Sequence, residues 1–401
     1  NSRAFFIQNG ALTIEDSGST GVIQGSGTVT GNGGAIWMSS SDSNNALTLT
    51  GGTIRGFTAT DGGGVYVSGG SFKMTDGTIS TCNATNAGGG VYVSSGSFEM
   101  SGGSIENCTA HEGAGVKVLA SSGKASFSMS GSGEIKNCNQ DGVSIAAIGG
   151  TSEFSMSGGT IEDNSGFGVW VDNGSAVMSG GSVKGSERYD IYIGSRAALT
   201  VKNTQVGGTV LNLGKITGQG SAEFTGTVEN SGYAVAEITG CKIHRIEHRS
   251  PYKGTITGST WDEYVYLLGR SWPTAKIPSE AGESITLKVS SYLPPVMENS
   301  LEIPKGVTVT VDLAGKTLSA EESDFKIINH GTLTLIDSST GGTLSIPIEN
   351  DGVLNANGGT VTSEVTNKGT IKATGTPVTQ FTGTLVNQEG ASVTAGDFRG
   401  C

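Results

Sequence analysis

The stretch DGGGVYVSGGSFKM, Asp61–Met74, is repeated almost unchanged as NAGGGVYVSSGSFEM, Asn86–Met100. Each copy contains a glycine turn, a short V-Y-V strand and a second strand that ends in F-x-M. Side chains alternate between the two faces of a strand, so two inward valines place the tyrosine between them on the outer face. The repeat therefore predicts short strands with one buried face, and the outward tyrosine needs a separate explanation.

The same unit extends along much of the chain. Its first strand reads AIWM, VYV, VYV, VKV, VSI, VWV and IYI, starting at Ala35, Val65, Val91, Val116, Val143, Val169 and Ile191. A second strand (SFKM, SFEM, SFSM, EFSM, SAVM) and a third (GTIR, GTIS, GSIE, GEIK, GTIE, GSVK) follow with the same period. Periods of about 20–50 residues are typical of solenoids. We predict an all-β, right-handed parallel β-helix with three strands per coil and coils of about 22–30 residues.

Bulk composition agrees with this fold and argues against several functions. The 401 residues include 66 glycines, and only 15% are charged. The net charge of −12 provides no basic field for nucleic acid, and the chain has no apolar stretch long enough to span a membrane. The five cysteines include no zinc-type pair, and calcium-binding nonapeptides are absent. We expect no nucleic-acid partner, no membrane insertion within this chain, no metal and no cofactor.

Stacked coils place equivalent residues next to each other, about 4.8 Å apart. The second strand then contributes two inward columns: Phe72, Phe98, Phe127 and Phe154, and Met74, Met100, Met129, Met156 and Met178. After the third strand, Cys82, Cys108 and Cys138 share another column. We predict that these cysteines are buried free thiols that pack as small apolar side chains.

The outward column of the first strand is rich in aromatic residues. It reads Trp37, Tyr66, Tyr92, Lys117, Ser144, Trp170 and Tyr192. Core packing does not require rings on this face, and rigid amphipathic rings are common binding anchors. We predict that Trp37, Tyr66, Tyr92, Trp170 and Tyr192 are exposed and bind a ligand such as a sugar ring. The alternative is that the rings stabilise the stack or are covered by a neighbouring loop.

Three carboxylates provide the basis for an enzymatic alternative. Parallel β-helices also carry glycoside hydrolases and polysaccharide lyases, and hydrolysis needs two carboxylates about 5–9.5 Å apart. Glu112, Asp141 and Asp190 precede first strands and have no obvious charge partner in the sequence, so they are the catalytic candidates. The competing explanation is that they form backbone hydrogen bonds in turns.

The sequence CKIHRIEHRSPYKG, Cys241–Gly254, is the one basic segment of the chain. A secondary ligand-binding site for an anion is predicted from His244, Arg245, His248, Arg249 and Trp261. The alternative is a solvated turn, because the histidines have no third ligand at zinc spacing.

Two modules are predicted. The first covers residues 1–271, with coils that narrow toward residue 240 and an aromatic and basic segment at 241–271. Five of the eight prolines lie between Pro273 and Pro304, where they interrupt strand pairing, so a second, smaller β-helix covers 272–401 behind a Pro-rich segment at 272–324. Its coils, of about 17–21 residues, are marked by NHG, NDG, NKG and NQEG.

The two modules begin with similar sequences. FKIINHG, from Phe325, parallels FFIQNG, from Phe5, but only the former has a preceding strand-rich segment. We therefore expect a capping segment before residue 1, in a longer protein.

Several stretches resemble a known group of proteins. GGAI, Gly33–Ile36, and GGGVYVSSGSFEMSGGSIENCTA, Gly88–Ala110, resemble glycine-rich β-helix repeats of large bacterial surface proteins, including polymorphic outer-membrane and adhesin-like families. IPKGVTVTVDLAGKTL, Ile303–Leu318, is similar to a segment that begins such arrays in surface proteins of anaerobic Gram-positive bacteria. The resemblance implies an extracellular, cell-surface, adhesin-like protein and carries no catalytic signature. The expected function is binding of a glycan or a host surface protein; the alternatives are a carbohydrate-active enzyme and a passive structural stalk.

Overall fold

The structure is a computed structural model that describes residues 2–18, 20–39, 44–231, 234–248, 253–257, 260–266, 271–272, 281–282, 284–289, 296–297, 300–320, 322–373 and 379–395. These residues form strands, turns and bends and include no helix, hence none that would span a membrane. They divide into two compact units. Unit 1 holds the described residues of 1–229, 233–243 and 253–259, and unit 2 those of 230–232, 244–252 and 260–401. The predicted module boundary at 271/272 stays a prediction.

Unit 1 consists of three ladders of parallel strands that the chain visits in turn. Ladder 1 contains Phe5–Ile7, Ile36–Met38, Val65–Val67, Val91–Val93, Val116–Ala120, Val143–Ala147, Val169–Lys184, Ile191–Lys202 and Val210–Asn212. Ladder 2 contains Ala11–Ile14, Ala46–Arg55, Ser71–Ser80, Gly96–Met100, Lys124–Met129, Thr151–Glu162, Lys215–Gln219, Val235–Thr239 and Lys253–Thr257. The long strands Val169–Lys184 and Ile191–Lys202 begin in ladder 1 and continue into ladder 2.

Ladder 3 of unit 1 completes each coil. It contains Val22–Gln24, Ser104–Glu106, Glu134–Lys136, Gln205–Val206, Glu223–Asn230 and the last residues of the long strands Ala46–Arg55, Ser71–Ser80, Thr151–Glu162 and Val169–Lys184. Thr58–Asp61 and Asn83–Ala87 form a separate two-stranded sheet at the following corner. The strand Lys242–His248 has its first two residues in unit 1 and the others in unit 2.

Unit 2 has the same three-ladder organisation. One ladder contains Thr260–Tyr266, Ser284–Lys288, Thr308–Asp312, Thr332–Ile336, Val353–Ala356, Thr370–Ala373 and Ser392–Ala395. The second contains Ser271–Trp272, Val296–Met297, Thr317–Ala320, Thr343–Ser345, Thr360–Val361 and Gln380–Phe381. The third contains Leu301–Ile303, Ile327–Asn329, Ile348–Asn350, Val365–Asn367 and Leu385–Asn387. The prediction of a parallel β-helix with three strands per coil, followed by a second one, is confirmed.

The core of unit 1 is built from stacked identical side chains, as predicted. Phe72, Phe98, Phe127 and Phe154 are buried, and their ring centroids are 4.6, 4.8 and 5.3 Å apart along the stack. The methionine column two residues later is equally buried. Since apolar side chains from every coil meet inside the three ladders, each coil depends on its two neighbours to cover its apolar surface.

The cysteine column is also buried inside unit 1. Cys82, Cys108 and Cys138 have no exposed surface and are free thiols, in agreement with the prediction. The neighbouring thiols of Cys138 and Cys82, together with burial, raise the pKa of Cys108. The Cys108 thiol is thus held in its protonated form and is a poor nucleophile, and burial of all three side chains makes the column part of the core.

An asparagine column lies in the interior of unit 2. The Nδ2 of Asn329 donates to Oδ1 of Asn350 at 2.6 Å, Asn350 donates to Asn367 at 2.7 Å, and Asn367 donates to Asn387 at 2.6 Å. The first three side chains are buried. The repeated N-x-G pattern of the short coils therefore has two structural roles. Its asparagines form a hydrogen-bonded ladder, and its glycines lie in the turns.

Candidate functional site

The outward side chains of ladder 1 form the column that the sequence predicted. Strand pairing brings each residue next to its equivalent in the following coil, in the order Phe6, Trp37, Tyr66, Tyr92, Lys117, Ser144, Trp170, Tyr192 and Leu211. We call this set the outer column. Its register is therefore as expected, and Phe6 and Leu211 extend it at the two ends.

The exposure of the outer column differs from the prediction. Trp37, Tyr66, Trp170 and Tyr192 are half-buried, whereas Tyr92 retains only 7% of its accessible surface. Lys117 and Ser144, in the middle of the column, are also buried. The prediction of an exposed ring is thus wrong for Tyr92, whose ring stacks on that of Tyr66, as in the alternative that the rings stabilise the stack.

Glycine turns that precede the ladder 1 strands lie close to the backbone of the outer column. Gly88 has a φ of 69° and lies so close that an added Cβ would be 2.7 Å from the Cβ of Tyr92. Gly113 has a φ of 54°, and its Cβ would be 3.0 Å from the Cα of Lys117. Glycine is required at both positions because a side chain would be strained in this conformation and would collide with the next strand.

The first part of the outer column contains two separate ring contacts. Phe6 and Trp37 have centroids 5.0 Å apart, and the guanidinium of Arg3 lies 4.9 Å from the Trp37 ring. Tyr66 and Tyr92 stack with centroids 5.0 Å apart and an interplanar angle of 14°. These contacts stabilise the stack, and the side chains of Tyr66 and Trp37 remain partly accessible.

The second part of the outer column contains a denser group, which we call the aromatic cluster: Phe167, Trp170, Tyr189 and Tyr192. All four side chains are half-buried. Phe167 has ring centroids 5.8 Å from Trp170, 5.0 Å from Tyr192 and 6.5 Å from Tyr189, and Trp170 meets Tyr192 edge-on at 6.3 Å. Two successive coils therefore contribute two rings each to one platform.

Phe167 and Tyr189 are functional candidates that the sequence prediction missed. Each lies three residues before the outer-column residue of its own coil, in FGVW (Phe167–Trp170) and YDIY (Tyr189–Tyr192). This repeated spacing indicates that the two rings lie beside the outer column. It was hidden because the turn before each strand otherwise varies in length and composition.

Lys117 is a buried cation that joins the two parts of the outer column. Its Nζ lies 2.6 Å from Oε2 of Glu112, donates to Oγ of Ser144 at 3.0 Å, and lies 5.8 Å from the centroid of the Trp170 ring. Glu112 is thus not the unpartnered carboxylate that the sequence suggested. Its side chain stays 49% exposed, so the pair presents a fixed carboxylate at the surface.

The other two catalytic candidates are held by backbone groups. The carboxylate of Asp141 accepts hydrogen bonds from the amides of Gly113 at 3.3 Å and Phe167 at 3.1 Å, which tie the preceding and following coils to its own. Asp190 accepts from the amides of Ser186 at 3.0 Å and Thr209 at 2.9 Å. Both side chains therefore have the turn-forming role that was the alternative to catalysis.

Burial raises the pKa of Asp141 and of Asp190, although their backbone hydrogen bonds oppose the shift. The folded state then binds the Asp141 proton more tightly than the unfolded chain does. The contribution of this group to stability is therefore greatest at low pH and is lost as the pH rises from 3.8 through the raised value.

Replacing Asp141 by asparagine is expected to remove that loss of stability with rising pH. The stability of the unchanged protein relative to the Asp141→Asn variant should decrease between about pH 4 and pH 7, as the buried carboxyl ionises. Urea unfolding at a series of pH values measures this difference. Asp76→Asn, at an exposed position, serves as the control. A difference that grows in favour of the unchanged protein as the pH rises would contradict the prediction.

The predicted secondary site is only partly described. Arg245 forms an ion pair with Glu247, with Nη2 2.7 Å from Oε1, and His244 lies in the same strand. The side chains of His248 and Trp261, and Arg249 as a whole, lie outside the described residues. Among the described residues, no group of three or more His, Cys, Asp and Glu side chains is arranged to hold a metal ion.

Comparison with known proteins gives one match. The sequence model of a protein family described as a right handed beta helix region matches residues 42–206. No curated protein and no solved structure matches the chain. Together with the strand pairing, the match shows that the fold is a right-handed parallel β-helix.

Proposed function

We propose that the chain belongs to an extracellular, surface-displayed adhesin-like protein and binds a glycan through the aromatic cluster. The observation that carries the proposal is the gathering of four half-buried rings from two coils, at centroid distances of 5.0–6.5 Å. Burying them against each other does not use all of their surface. The remaining faces form an apolar platform with polar groups at its edge.

A glycan would fit this platform better than the flat surface of a protein partner would. Aromatic faces pack against the C–H faces of sugar rings, and the partly exposed carboxylate of Glu112 can accept hydrogen bonds from sugar hydroxyl groups. The rings are already ordered by their mutual contacts and by the strands that bear them. Binding would therefore cost little side-chain entropy, which favours recognition by rings of this kind.

Repetition along the helix supports adhesion through several weak contacts. Tyr66 lies four coils before Trp170, a separation of about 19 Å at the spacing of parallel strands. A linear glycan laid along the outer column would meet the half-buried rings of Trp37 and Tyr66 as well as the aromatic cluster. Two linked contacts then bind more tightly than either contact alone.

The contacts of the three candidate carboxylates favour binding over hydrolysis. Glu112 is paired with Lys117, and Asp141 and Asp190 are occupied by backbone amides. A passive stalk would need a stiff repeat but no aromatic cluster. Binding is thus the function that accounts for the residues of the outer column that the fold itself does not require.

Exchange of Trp170 and Tyr192 for alanine tests the proposal. We expect the double variant to lose about tenfold or more of its affinity on a glycan array and in titration with the glycans that bind on it, because it removes one half-buried ring from each of the two coils that build the cluster. Val177→Ala is the matched control, since Val177 is an exposed apolar residue on ladder 2 of the same unit. Unchanged binding by the double variant, or equal losses in both, would disprove a role for the cluster.

A further inference from the structure

We infer that the glycan bound by the outer column is uncharged, and that the ion-paired carboxylate of Glu112 accepts hydrogen bonds from its hydroxyl groups. The inference rests on the proposed function and adds to it the chemical class of the ligand. It is carried by the charges that surround the rings, most of which are negative and held in place by other contacts.

Two carboxylates flank the first part of the outer column. Asp61 accepts hydrogen bonds from Nδ2 of Asn86 at 2.8 Å and from the amide of Ala87 at 3.2 Å, which fix it beside the turn that precedes Tyr92. Burial, the Tyr66 hydroxyl and the negative charges of Asp61 and Glu112 all raise the pKa of Tyr92. Two carboxylate charges therefore act on this hydroxyl in addition to its burial.

The aromatic cluster has carboxylates at its own edge. The hydroxyl of Tyr189 donates to Oε2 of Glu229 at 3.4 Å. Burial and the negative charge of Asp172 raise the pKa of Tyr192. Glu229 is buried, so the exposed Asp172 is the carboxylate of this pair that a ligand across the rings would meet.

Three cations contact rings of the outer column or the cluster within the described part of the chain. Arg3 donates to the carbonyl groups of Asn32 at 2.9 Å and Gly33 at 3.3 Å, and Lys117 is buried and paired with Glu112. Arg188 lies over the Phe167 ring at 5.6 Å. Four carboxylates, those of Asp61, Glu112, Asp172 and Glu229, act on tyrosines of the same two groups, so the negative charges outnumber the cations by one.

The ion pair gives Glu112 a defined chemical role. The ion pair with Lys117 fixes the direction of the Glu112 carboxylate, and a carboxylate forms stronger hydrogen bonds with hydroxyl donors than a neutral acceptor does. The same carboxylates would repel a uronate or a sulfate laid along the rings, because like charges at such short range are destabilising. The site therefore selects hydroxyl-rich, uncharged chains.

Polysaccharides that differ only in charge test the inference. The probes are polygalacturonate, alginate and hyaluronan, each compared with its carboxyl-reduced form, together with neutral mannan and galactan, in affinity electrophoresis and titration at low and high salt. We expect binding of neutral polymers with little dependence on salt, and at least about tenfold weaker binding of the matching uronates. Preference for uronates, or binding that salt abolishes, would overturn the inference.

Variants separate this inference from the proposed function. Glu112→Gln should weaken binding of the neutral polymers about tenfold, because the neutral amide is the weaker acceptor while it can still accept from Lys117. Glu153→Gln is the control, since Glu153 is likewise paired with a lysine, Lys124, and 43% exposed, but on ladder 2. If the unchanged protein bound uronates and the Trp170/Tyr192 double variant did not, the proposed function would stand and the assignment of an uncharged ligand would be wrong. Absence of binding to all of these polymers would count against both.

Discussion

Replacing Phe98 by alanine is expected to lower the free energy of unfolding by about 3–5 kcal/mol. Phe98 has no exposed surface, and its ring stacks between Phe72 at 4.6 Å and Phe127 at 4.8 Å. The substitution would open a cavity inside unit 1 and break both ring contacts at once. Because each coil covers its neighbours, the loss should not be confined to one coil. Denaturant unfolding followed by intrinsic fluorescence and circular dichroism measures the effect.

Two further substitutions define what the Phe98 experiment tests. Phe98→Leu removes less volume and should cost clearly less than the alanine variant. Glu99→Ala changes the next residue of the same strand, which faces the solvent, and should change stability by about 0.5 kcal/mol or less. If the Phe98→Ala and Glu99→Ala variants unfolded at the same denaturant concentration, the phenylalanine column would not be the core of this unit.

The repeating coil was predictable because three independent features have the same period. Alternation places Val65 and Val67 inside, the recurring phenylalanines identify the second strand, and the glycines mark the corners. Any error in register would have moved all three columns together. The observed pairing of Tyr66 with Tyr92 and of Phe72 with Phe98 follows directly from this constraint.

The burial of the outer column was not predictable in the same way. Alternation tells which side of a strand a residue occupies, but not whether a turn folds back over that side. Tyr92 is buried and stacks on Tyr66, whereas Tyr66 stays half-buried although an equivalent glycine turn at Gly62 lies beside it. The pairing of Glu112 with Lys117 depends on the same kind of turn, so the sequence separation of five residues did not reveal it.

The interior of unit 2 shows how one residue type can carry two signals. Asparagine before glycine is common in turns, so NHG and NDG were interpreted as corner markers. In the structure the asparagines themselves lie at the ends of short strands with their side chains inward, where amides of successive coils hydrogen-bond. The regular spacing of the asparagines is the signal for this column. A turn at the glycine accounts for the same N-x-G pattern, so the pattern alone does not predict an inward asparagine.

Replacing Asn350 by leucine is expected to lower the free energy of unfolding by about 2–4 kcal/mol. Leucine has a similar size but can neither accept from Asn329 nor donate to Asn367 and to the carbonyl of Thr370, which lie 2.6, 2.7 and 3.2 Å away in the native ladder. The polar groups left behind are buried, so they cannot be compensated by water at no cost. Denaturant unfolding of the chain, with hydrogen exchange to locate the weakened coils, measures this loss.

Asn350→Asp separates the hydrogen-bond donor from the shape of the side chain. An ionised carboxylate at this position accepts from Asn329 but cannot donate to Asn367, and burial should raise its pKa above that in the unfolded chain. Its cost should therefore be smallest at low pH and should increase as the pH rises through the folded-state pKa. Asn355→Ala, at a half-exposed position of the same unit, should have a small and pH-independent effect. If Asn350→Asp and Asn350→Leu both matched Asn355→Ala, the asparagine ladder would contribute nothing to the stability of unit 2.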